Sequence, residues 1–275
     1  MTNIENKVAV VTGAASGIGR ALAVDLAAAG CRVSICDWDA EGLEETRARL
    51  ATMGATVDSK VFDLREQTLV EHYASDVIDK FGAVNLVFNN AGVDHHGSVT
   101  DTSFKDYQRV MDVNFWGVVN MTKALLPQLI TANEAHIVNV SSIFGLFGVG
   151  DQSAYNSSKF AVRGFTEALR IEMLASHPHL KVTCVHPGGV RTSIVKNATV
   201  SEGTDHKRMS EVFDKHLTIT TPESASKTIL RGVRRNQAKV LIGPDAHFFD
   251  LSVRALGSKY QRVGAVARKV AGALL

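Results

Sequence analysis

The chain has 275 residues, 45% of them apolar and 21% charged, and its 30 basic side chains nearly balance 28 acidic ones. This composition is typical of a globular protein with a sizeable core, and the near-neutral charge gives no reason to expect a nucleic-acid partner. Three scattered cysteines (Cys31, Cys36 and Cys184) argue against a disulfide framework, and the lack of a CxxC pair argues against a zinc site.

The N-terminal residues contain no basic stretch followed by an apolar run, so they do not resemble a secretory signal. No apolar run approaches the roughly 18 uninterrupted residues that a membrane span needs. We therefore expect a cytoplasmic protein.

Strand-like and helix-like stretches alternate along the chain. Strands are predicted over 7–12, 32–36, 56–62, 84–88, 136–141, 182–186 and 239–242, and helices over 17–29, 40–53, 66–80, 102–130 and 152–176 and after Pro222. We expect Pro127 to kink the helix over 102–130 near its end. Apolar strands alternating with amphipathic helices indicate an α/β fold, with a parallel sheet covered by helices on both faces.

No linker rich in proline, glycine or serine divides the chain, so we predict a single domain over 1–275. Two segments interrupt the alternation. Residues 193–220 are polar and irregular and are expected to cover a substrate, and residues 244–275 extend past the last predicted strand.

A glycine-rich motif, Thr12-Gly-Ala-Ala-Ser-Gly-Ile-Gly19, connects the first strand to the first helix. Glycines let the backbone turn tightly and let a pyrophosphate approach the helix N-terminus, where free N–H groups favour an anion. A glycine-rich turn without a ligand has the same local pattern. The position between a strand and a helix favours a dinucleotide-binding loop.

Acidic residues follow the next two strands. Asp37, 24 residues beyond Gly13, lies where a dinucleotide fold places a carboxylate against the adenosine ribose hydroxyls. Since such a carboxylate repels a 2′-phosphate and Ala15 offers no basic group, we expect NAD rather than NADP. Asp39 is interpreted as the cap of the next helix. Asp63 either faces the adenine or is simply an acid at a strand end.

Small and polar residues, Asn89-Asn-Ala-Gly92, end the fourth strand. Because ligands of open α/β sheets bind in the crevice at the carboxyl ends of the strands, a cofactor would lie close to the main chain here.

Tyr155 and Lys159 lie four residues apart on a predicted helix, hence on one face. A nearby ammonium lowers the pKa of a phenol, as a general acid/base requires, although a Tyr–Lys surface pair has the same spacing. Ser142 ends the fifth strand at the same edge and could bind the reacting oxygen. Asn114, a poor helix former in an apolar context, is either a satisfied core amide or part of a proton relay.

Together these motifs resemble the short-chain dehydrogenase/reductase family, in the branch with subunits of roughly 250 residues. The matching pieces are Thr12-Gly-Ala-Ala-Ser-Gly-Ile-Gly19, Asn89-Asn-Ala-Gly92, Asn114, Ser142, Tyr155-x-x-x-Lys159 and Pro187-Gly-Gly-Val-Arg-Thr192, in family order between about residues 7 and 243. The resemblance implies a Rossmann-like, doubly wound sheet of seven parallel strands.

The resemblance also implies a catalytic set of four residues. Tyr155 would pass a proton to or from the substrate oxygen, Ser142 would orient that oxygen, and Lys159 would lower the pKa of Tyr155 and hold the nicotinamide ribose. Asn114 would hold a water that links Lys159 to solvent.

The cofactor contacts follow from the same likeness and from the residue arguments above. The expected set is Gly13, Ser16, Gly17, Ile18, Gly19, Asp37, Asp63, Leu64, Asn90, Ala91, Gly92, Tyr155, Lys159, Pro187, Gly188, Val190 and Thr192. Similar proteins pack the helices around 102–130 and 152–176 against their copies, so a homotetramer or homodimer is expected.

The substrate has to be inferred from the variable segments. The expected pocket residues are 93–96, 143–150, Gly188, Gly189 and 193–220. An apolar run after Ser142, and no cluster of Arg or Lys in these segments, favour a hydrophobic secondary alcohol or ketone: cyclic, terpenoid, steroid-like or aliphatic. His95 and His96 lack a third ligand, so we interpret them as a solvent-exposed pair and expect no metal.

The tail over 247–275 mixes apolar with basic residues, which suits a helix lying on an anionic membrane. Packing over the pocket or a neighbouring subunit is the favoured interpretation. For the whole chain, the alternatives to the oxidoreductase are a non-catalytic dinucleotide-binding sensor or scaffold, and an epimerase or dehydratase of a longer-chained branch, which the glycine spacing disfavours.

Overall fold

The computed structural model describes residues 1–202, 206 and 219–274, the side chains of 267 and 270–274 excepted. Within this part of the chain, seven strands form one fully parallel sheet, in the order β3-β2-β1-β4-β6-β7-β9. The strands are β1 (Val8–Thr12), β2 (Arg32–Asp37), β3 (Val57–Val61), β4 (Leu86–Asn89), β6 (Ala135–Val140), β7 (Leu180–Pro187) and β9 (Lys239–Ile242). The predicted seven-stranded Rossmann-like sheet is confirmed.

Helices connect the strands and cover both faces of the sheet. They are α1 (Gly17–Ala28), α2 (Ala40–Thr52), α3 (Gln67–Phe81), α4 (Phe104–Met111), α5 (Gly117–Thr131), α6 (Ser153–Ser176), α7 (Pro222–Arg234), α8 (Pro244–Leu256) and α9 (Tyr260–Leu274). Short 3₁₀ turns lie at Ile143–Gly145 and Gly257–Lys259.

Two apolar cores sandwich the sheet because successive strand residues point to opposite faces. Val11 and Ile35 belong to the core under α1, α2 and α7, whereas Val10 and Val87 belong to the core under α3, α5 and α6. Since both faces are buried, the central strands are apolar at nearly every position, which explains why they stand out in the sequence.

The helix predicted over 102–130 is interrupted, but not at Pro127. A π-helical turn at Asp112–Trp116 separates α4 from α5, and Pro127 lies inside α5. Such turns are rare and occur frequently at functional sites. Here the turn contains Asn114, whose side chain is fully buried.

The prediction that His95 and His96 are solvent-exposed is wrong. They form β5 (His95–His96), which pairs in parallel with β8 (Thr199–Val200) in a separate two-stranded sheet. His95 is buried because both ring nitrogens have hydroxyl partners: Nδ1 lies 2.8 Å from Thr199 Oγ1, and Nε2 lies 3.2 Å from Ser201 Oγ.

The two irregular segments predicted from the sequence are described to different extents. Of the expected substrate-covering segment 193–220, residues 203–205 and 207–218 lie outside the described residues. The described part of the extension, 244–274, forms two helices, α8 and α9, instead of the single amphipathic helix that the tail pattern suggests. No helix in the described part of the chain is both long and apolar enough to cross a membrane.

Candidate active site

A cavity of about 2760 Å³ lies at the carboxyl ends of the strands. Its wall includes every residue of the expected cofactor set except Gly19, together with the expected catalytic residues Ser142, Tyr155 and Lys159. Asn114 lies behind the wall. The parallel sheet therefore brings together residues that are more than 140 positions apart in sequence, from Gly13 to Lys159.

The glycine-rich loop packs too closely for side chains at two positions. Gly13 has φ +67°, and a Cβ there would lie 2.7 Å from the Cα of Ala91. A side chain at position 19 would collide with the Gly13 carbonyl, which explains why Gly19 lies behind the cavity wall. Asn90 braces the loop by donating from Nδ2 to the Thr12 and Gly13 carbonyls, at 3.1 Å each.

The N-terminus of α1 faces the cavity without a side-chain cap. Ser16 precedes the helix but makes no capping bond, and its hydroxyl lies 3.0 Å from that of Ser193. The first N–H groups of a helix favour an anion when no side chain satisfies them. Gly17 and Ile18, in the cavity wall, could therefore hold a pyrophosphate, with Thr192 packed against Gly17.

Asp37 stands at the carboxyl end of β2. Its carboxylate accepts hydrogen bonds from the backbone N–H groups of Ala15 (2.9 Å) and Asp39 (3.1 Å), while burial raises the pKa of the carboxyl group. Asp39 caps α2 through the Gly42 N–H, as expected. Asp63 lines the cavity and is paired with Arg65. A carboxylate at this edge fits a ribose with free hydroxyl groups.

The expected catalytic side chains converge from the segment after β6 and from α6. Ser142 and Tyr155 line the same part of the cavity, and the Ser142 hydroxyl accepts the Phe144 N–H at 3.1 Å. Ser141 joins the strand end to the helix by donating to the Lys159 carbonyl at 2.7 Å. Tyr155 and Ser142 can thus reach one substrate oxygen together.

The pKa of Tyr155 is raised by burial and by the negative charge of Asp94, and the Ser142 side chain opposes this shift. Lys159 Nζ lies 5.5 Å from the centre of the Tyr155 ring, and burial lowers the pKa of Lys159 to about 8. Tyr155 is therefore a protonated phenol at neutral pH. The expected lowering of its pKa by Lys159 stays a prediction.

The side chains of Lys159 and Asn114 both approach Gly92. A Cβ at position 92 would be 3.2 Å from Lys159 Nζ and 3.3 Å from Asn114 Oδ1. The Asn114 amide is satisfied by the Val93 main chain (2.8 and 2.9 Å) and by Ser158 Oγ (3.0 Å). The structure thus shows a satisfied core amide, and a water relay through Asn114 remains a prediction.

Gln152, Asn156 and His186 were missed by sequence reasoning, whereas Asp94 was expected only as a pocket residue. Asp94 is buried, which raises its pKa to about 6. Gln152 directly precedes α6 and Asn156 follows Tyr155 in it, and both line the cavity. His186, uncharged because burial lowers its pKa to about 4, donates from Nδ1 to the Ser142 carbonyl at 2.9 Å. For Asn156 the available signal was its spacing of three from Lys159 on one helix, since residues three apart are neighbours on the helix surface.

The C-terminal helices form the outer wall of the cavity. Tyr260 accepts the Gly148 N–H at 3.0 Å and its ring lies 6.1 Å from that of Phe147. Arg268 forms a bidentate ion pair with Asp151, at 2.7 and 2.8 Å. The sequence suggested no basic cluster at the pocket, yet the fold brings Arg109 and Arg268 into its wall, each already bound to neighbouring residues.

Comparison with known proteins decides the family. The model of the short chain dehydrogenase family matches residues 7–203. The chain belongs to the short-chain dehydrogenase/reductase family. It is 49% identical over 263 residues to the putative oxidoreductase SadH of Mycobacterium tuberculosis, covering 96% of this chain and 95% of that protein.

Two further relatives support the assignment of this short-chain dehydrogenase. Dehydrogenase/reductase SDR family member 7B of Xenopus tropicalis is 34% identical over 245 residues, covering 87% of this chain and 78% of that protein. A crystal structure of a short-chain dehydrogenase/reductase from Burkholderia phymatum in complex with NAD has a TM-score of 0.87 and 26% identity, covering 96% of each chain. The expected family membership is confirmed, and the protein is an oxidoreductase of this family.

Proposed function

We propose that this oxidoreductase interconverts a hydrophobic secondary alcohol and the corresponding ketone with NAD(H), and that Tyr155 is the general acid/base. One observation carries the proposal: Tyr155, Ser142 and Lys159 line the same cavity as the glycine-rich loop and Asp37. A nicotinamide cofactor, when bound, would supply or accept the hydride.

The residues support proton transfer in both directions. In ketone reduction, the protonated Tyr155 hydroxyl donates its proton to the substrate oxygen while Ser142 donates a hydrogen bond to the same atom. In alcohol oxidation, the tyrosine accepts the hydroxyl proton. The Lys159 ammonium stabilises the phenolate that would then form, because opposite charges within a few ångströms favour the ionised state.

The proposed cofactor is NAD rather than NADP. Support comes from the half-buried Asp37 carboxylate, which would accept hydrogen bonds from ribose hydroxyls and repel a phosphate. Val190 and Thr192, in the wall beside the loop, would contact the nicotinamide end.

A hydrophobic substrate is supported by the character of the outer cavity. Its apolar side chains come from both the segment after Ser142 and the C-terminal helices, and they are Phe144, Phe147, Val149, Phe248, Phe249, Val253 and Leu256. Phe144 contacts the Tyr155 ring edge to face, with the ring centres 6.2 Å apart, so apolar surface begins next to the proposed reacting group.

We also propose a homotetramer or homodimer formed through the helices around 102–130 and 152–176. Exposed large apolar side chains within these two ranges are Phe104, Trp116, Phe160, Ile171 and Leu174. Exposed apolar groups of this kind favour burial against another surface. Light scattering coupled to size-exclusion chromatography tests this, and a monomer would contradict it.

The tail over 247–275 is proposed to serve the cavity rather than a membrane surface. Its contacts with Gly148 and Asp151 support this assignment, although Leu251 and Val266 remain exposed. The protein should not float with anionic vesicles. Flotation that disappears on removal of 247–275 would instead support the membrane interpretation.

A panel of secondary alcohols, followed at the NADH absorbance band with NAD and with NADP, tests the function. We expect turnover of apolar alcohols with NAD. Tight NADH binding without turnover of any alcohol or ketone would favour the sensor or scaffold instead.

A further inference from the structure

The carboxylate of Asp245 lies against the main chain of the loop that follows β7. Asp245 belongs to the first turn of α8, and its Oδ2 accepts the Gly189 N–H at 2.7 Å. A Cβ at position 188 would collide with the same carboxylate, so Gly188 is what allows this close approach. The Gly188 N–H bonds to the Ile242 carbonyl of β9 at 2.9 Å. The loop is therefore fixed from both β9 and α8.

The negative charge of Asp245 has no counter-ion in the described part of the chain. Its second oxygen, Oδ1, is shielded from solvent and has no hydrogen-bond partner among the same residues. Asp250, farther along α8, is by contrast paired with both Lys239 and Arg254. A carboxylate that is partly shielded from water and unpaired acts more strongly on nearby charges than a solvated one, because the effective dielectric around it is lower.

This carboxylate belongs to the part of the cavity wall that is proposed to receive the nicotinamide. Gly188, Val190 and Thr192 line the cavity together with Asp245, and Val190 and Thr192 are the proposed contacts of the nicotinamide end. The nicotinamide ring is positively charged in NAD and neutral in NADH. A charge acts at a distance, so the cofactor need not touch the buried Oδ1 for Asp245 to distinguish the two forms.

We propose that Asp245 stabilises the positively charged, oxidised nicotinamide relative to the reduced one, and thereby speeds ketone reduction relative to alcohol oxidation. The inference rests on the proposed function and deepens it by giving the reaction a preferred direction. In ketone reduction a hydride passes from NADH to the carbonyl carbon and a proton passes from Tyr155 to the carbonyl oxygen, which yields NAD and the alcohol. Asp245 stabilises the positive charge that develops on the ring during this step.

A purely structural role for Asp245 predicts a different result. NAD and NADH present the same adenosine and pyrophosphate groups, so a loosened loop weakens the binding of both. Loss of the negative charge weakens NAD binding in particular, because only the oxidised ring is a cation. The Lys159 ammonium in the same wall opposes Asp245, but it is unchanged in the variants that test the charge.

The first measurement is the ratio of the dissociation constant for NAD to that for NADH, from fluorescence titration with NADH and its displacement by NAD. We expect this ratio to rise about fivefold or more in Asp245→Asn, which keeps an oxygen for the Gly189 N–H and removes the charge. Asp245→Ser is a second neutral variant in case the amide impairs folding. Asp245→Glu retains the charge and should keep the parent ratio, even where both affinities fall.

The second measurement is the ratio of kcat for acetophenone reduction to kcat for 1-phenylethanol oxidation. We expect this ratio to fall in Asp245→Asn and to stay near the parent value in Asp245→Glu. Asp250→Asn is the matched control, because it makes the same charge change on α8 at an ion-paired position outside the cavity wall of the described residues. It should preserve both ratios.

The outcomes separate this inference from the proposed function. If either ratio is unchanged in both neutral variants, or shifts equally in Asp250→Asn, the inference is overturned and the proposed function stands. A parent protein that binds neither NADH nor NADPH overturns both.

Discussion

Lys159 donates a hydrogen bond from Nζ to the carbonyl oxygen of Val140, at 3.1 Å, where β6 ends. This bond holds the ammonium at the strand end, beside Gly92 and 5.5 Å from the centre of the Tyr155 ring. The ammonium is therefore held in the cavity wall close to the proposed acid/base. Burial and the charge of Asp94 both raise the pKa of Tyr155, so the proton transfer proposed there should respond to substitution of neighbouring charged residues.

Tyr155→Phe removes the proposed proton donor without changing the ring. We expect kcat to fall by about 10²- to 10⁴-fold, the usual contribution of a positioned acid/base, while NADH binding stays nearly unchanged. Steady-state kinetics and fluorescence titration with NADH measure the two effects. Tyr107→Phe, which also removes a hydrogen-bonded phenol hydroxyl, is the control and should retain activity. A Tyr155→Phe protein as active as the parent refutes the assignment.

Asp94→Asn should shift the pH dependence of alcohol oxidation. Alcohol oxidation needs the Tyr155 phenolate, so kcat/KM should rise as the pH approaches the pKa of Tyr155. Because the Asp94 charge raises that pKa, it moves the rise in kcat/KM to higher pH. Removing the charge moves the rise to lower pH. Below pH 6, near the pKa of Asp94 itself, the profiles of parent and variant should converge.

The control for this shift is Asp101→Asn, an exposed carboxylate bonded to Ser98. Its pH profile should overlay that of the parent protein. A rise at unchanged or higher pH in Asp94→Asn would show that Asp94 does not act on the phenol through its charge.

Asp37→Asn tests the choice of cofactor. The amide keeps an oxygen for the Ala15 N–H but removes the negative charge, so NAD affinity should weaken about tenfold and discrimination against NADP should relax. Titration with NADH and with NADPH gives the ratio of the two affinities. Asp39→Asn, at the cap of α2, should leave the ratio unchanged. A parent protein that already prefers NADPH contradicts the ribose argument.

Arg268→Met should loosen α9 over the cavity. Because the Arg268–Asp151 pair is exposed, we expect an increase in KM for large apolar substrates of up to about fivefold, with kcat and Tm little changed. Salt should raise the KM of the parent toward that of the variant by screening the pair. Arg254→Met, on α8, is the control. An unchanged KM in Arg268→Met would show that the Arg268–Asp151 contact of α9 does not contribute to substrate binding.

The sheet and its glycine-rich loop could be predicted from sequence because their signals are local. A strand buried on both faces is apolar throughout, as in β1, and Gly13 lies in the turn that directly follows it. The polar wall could not be predicted in the same way. Asp94 and Gln152 are 58 residues apart and meet only after folding, so nothing near either residue shows that its side chain is buried.

The degree of burial around Tyr155 could not be predicted from the sequence for a related physical reason. Helical spacing brings Lys159 close to Tyr155, but it does not report how completely the surroundings exclude water. Desolvation depends on contributions from distant segments, such as the 3₁₀ turn Ile143–Gly145 and the helix α8 that packs beside it. The π-helical turn around Asn114 could not be predicted either, since the low helix propensity of Asn114 does not distinguish a π-helical turn from an ordinary helix.

The two halves of the cavity come from different stretches of the chain. The glycine-rich loop and Asp37 come from the N-terminal part of the chain, whereas apolar side chains of the outer wall come from the segment after Ser142 and from α8 and α9. Mutations in α8 and α9 can therefore change substrate specificity while the glycine-rich loop stays intact. In natural or directed evolution, the two C-terminal helices are the positions where substitutions can alter the substrate without altering that loop.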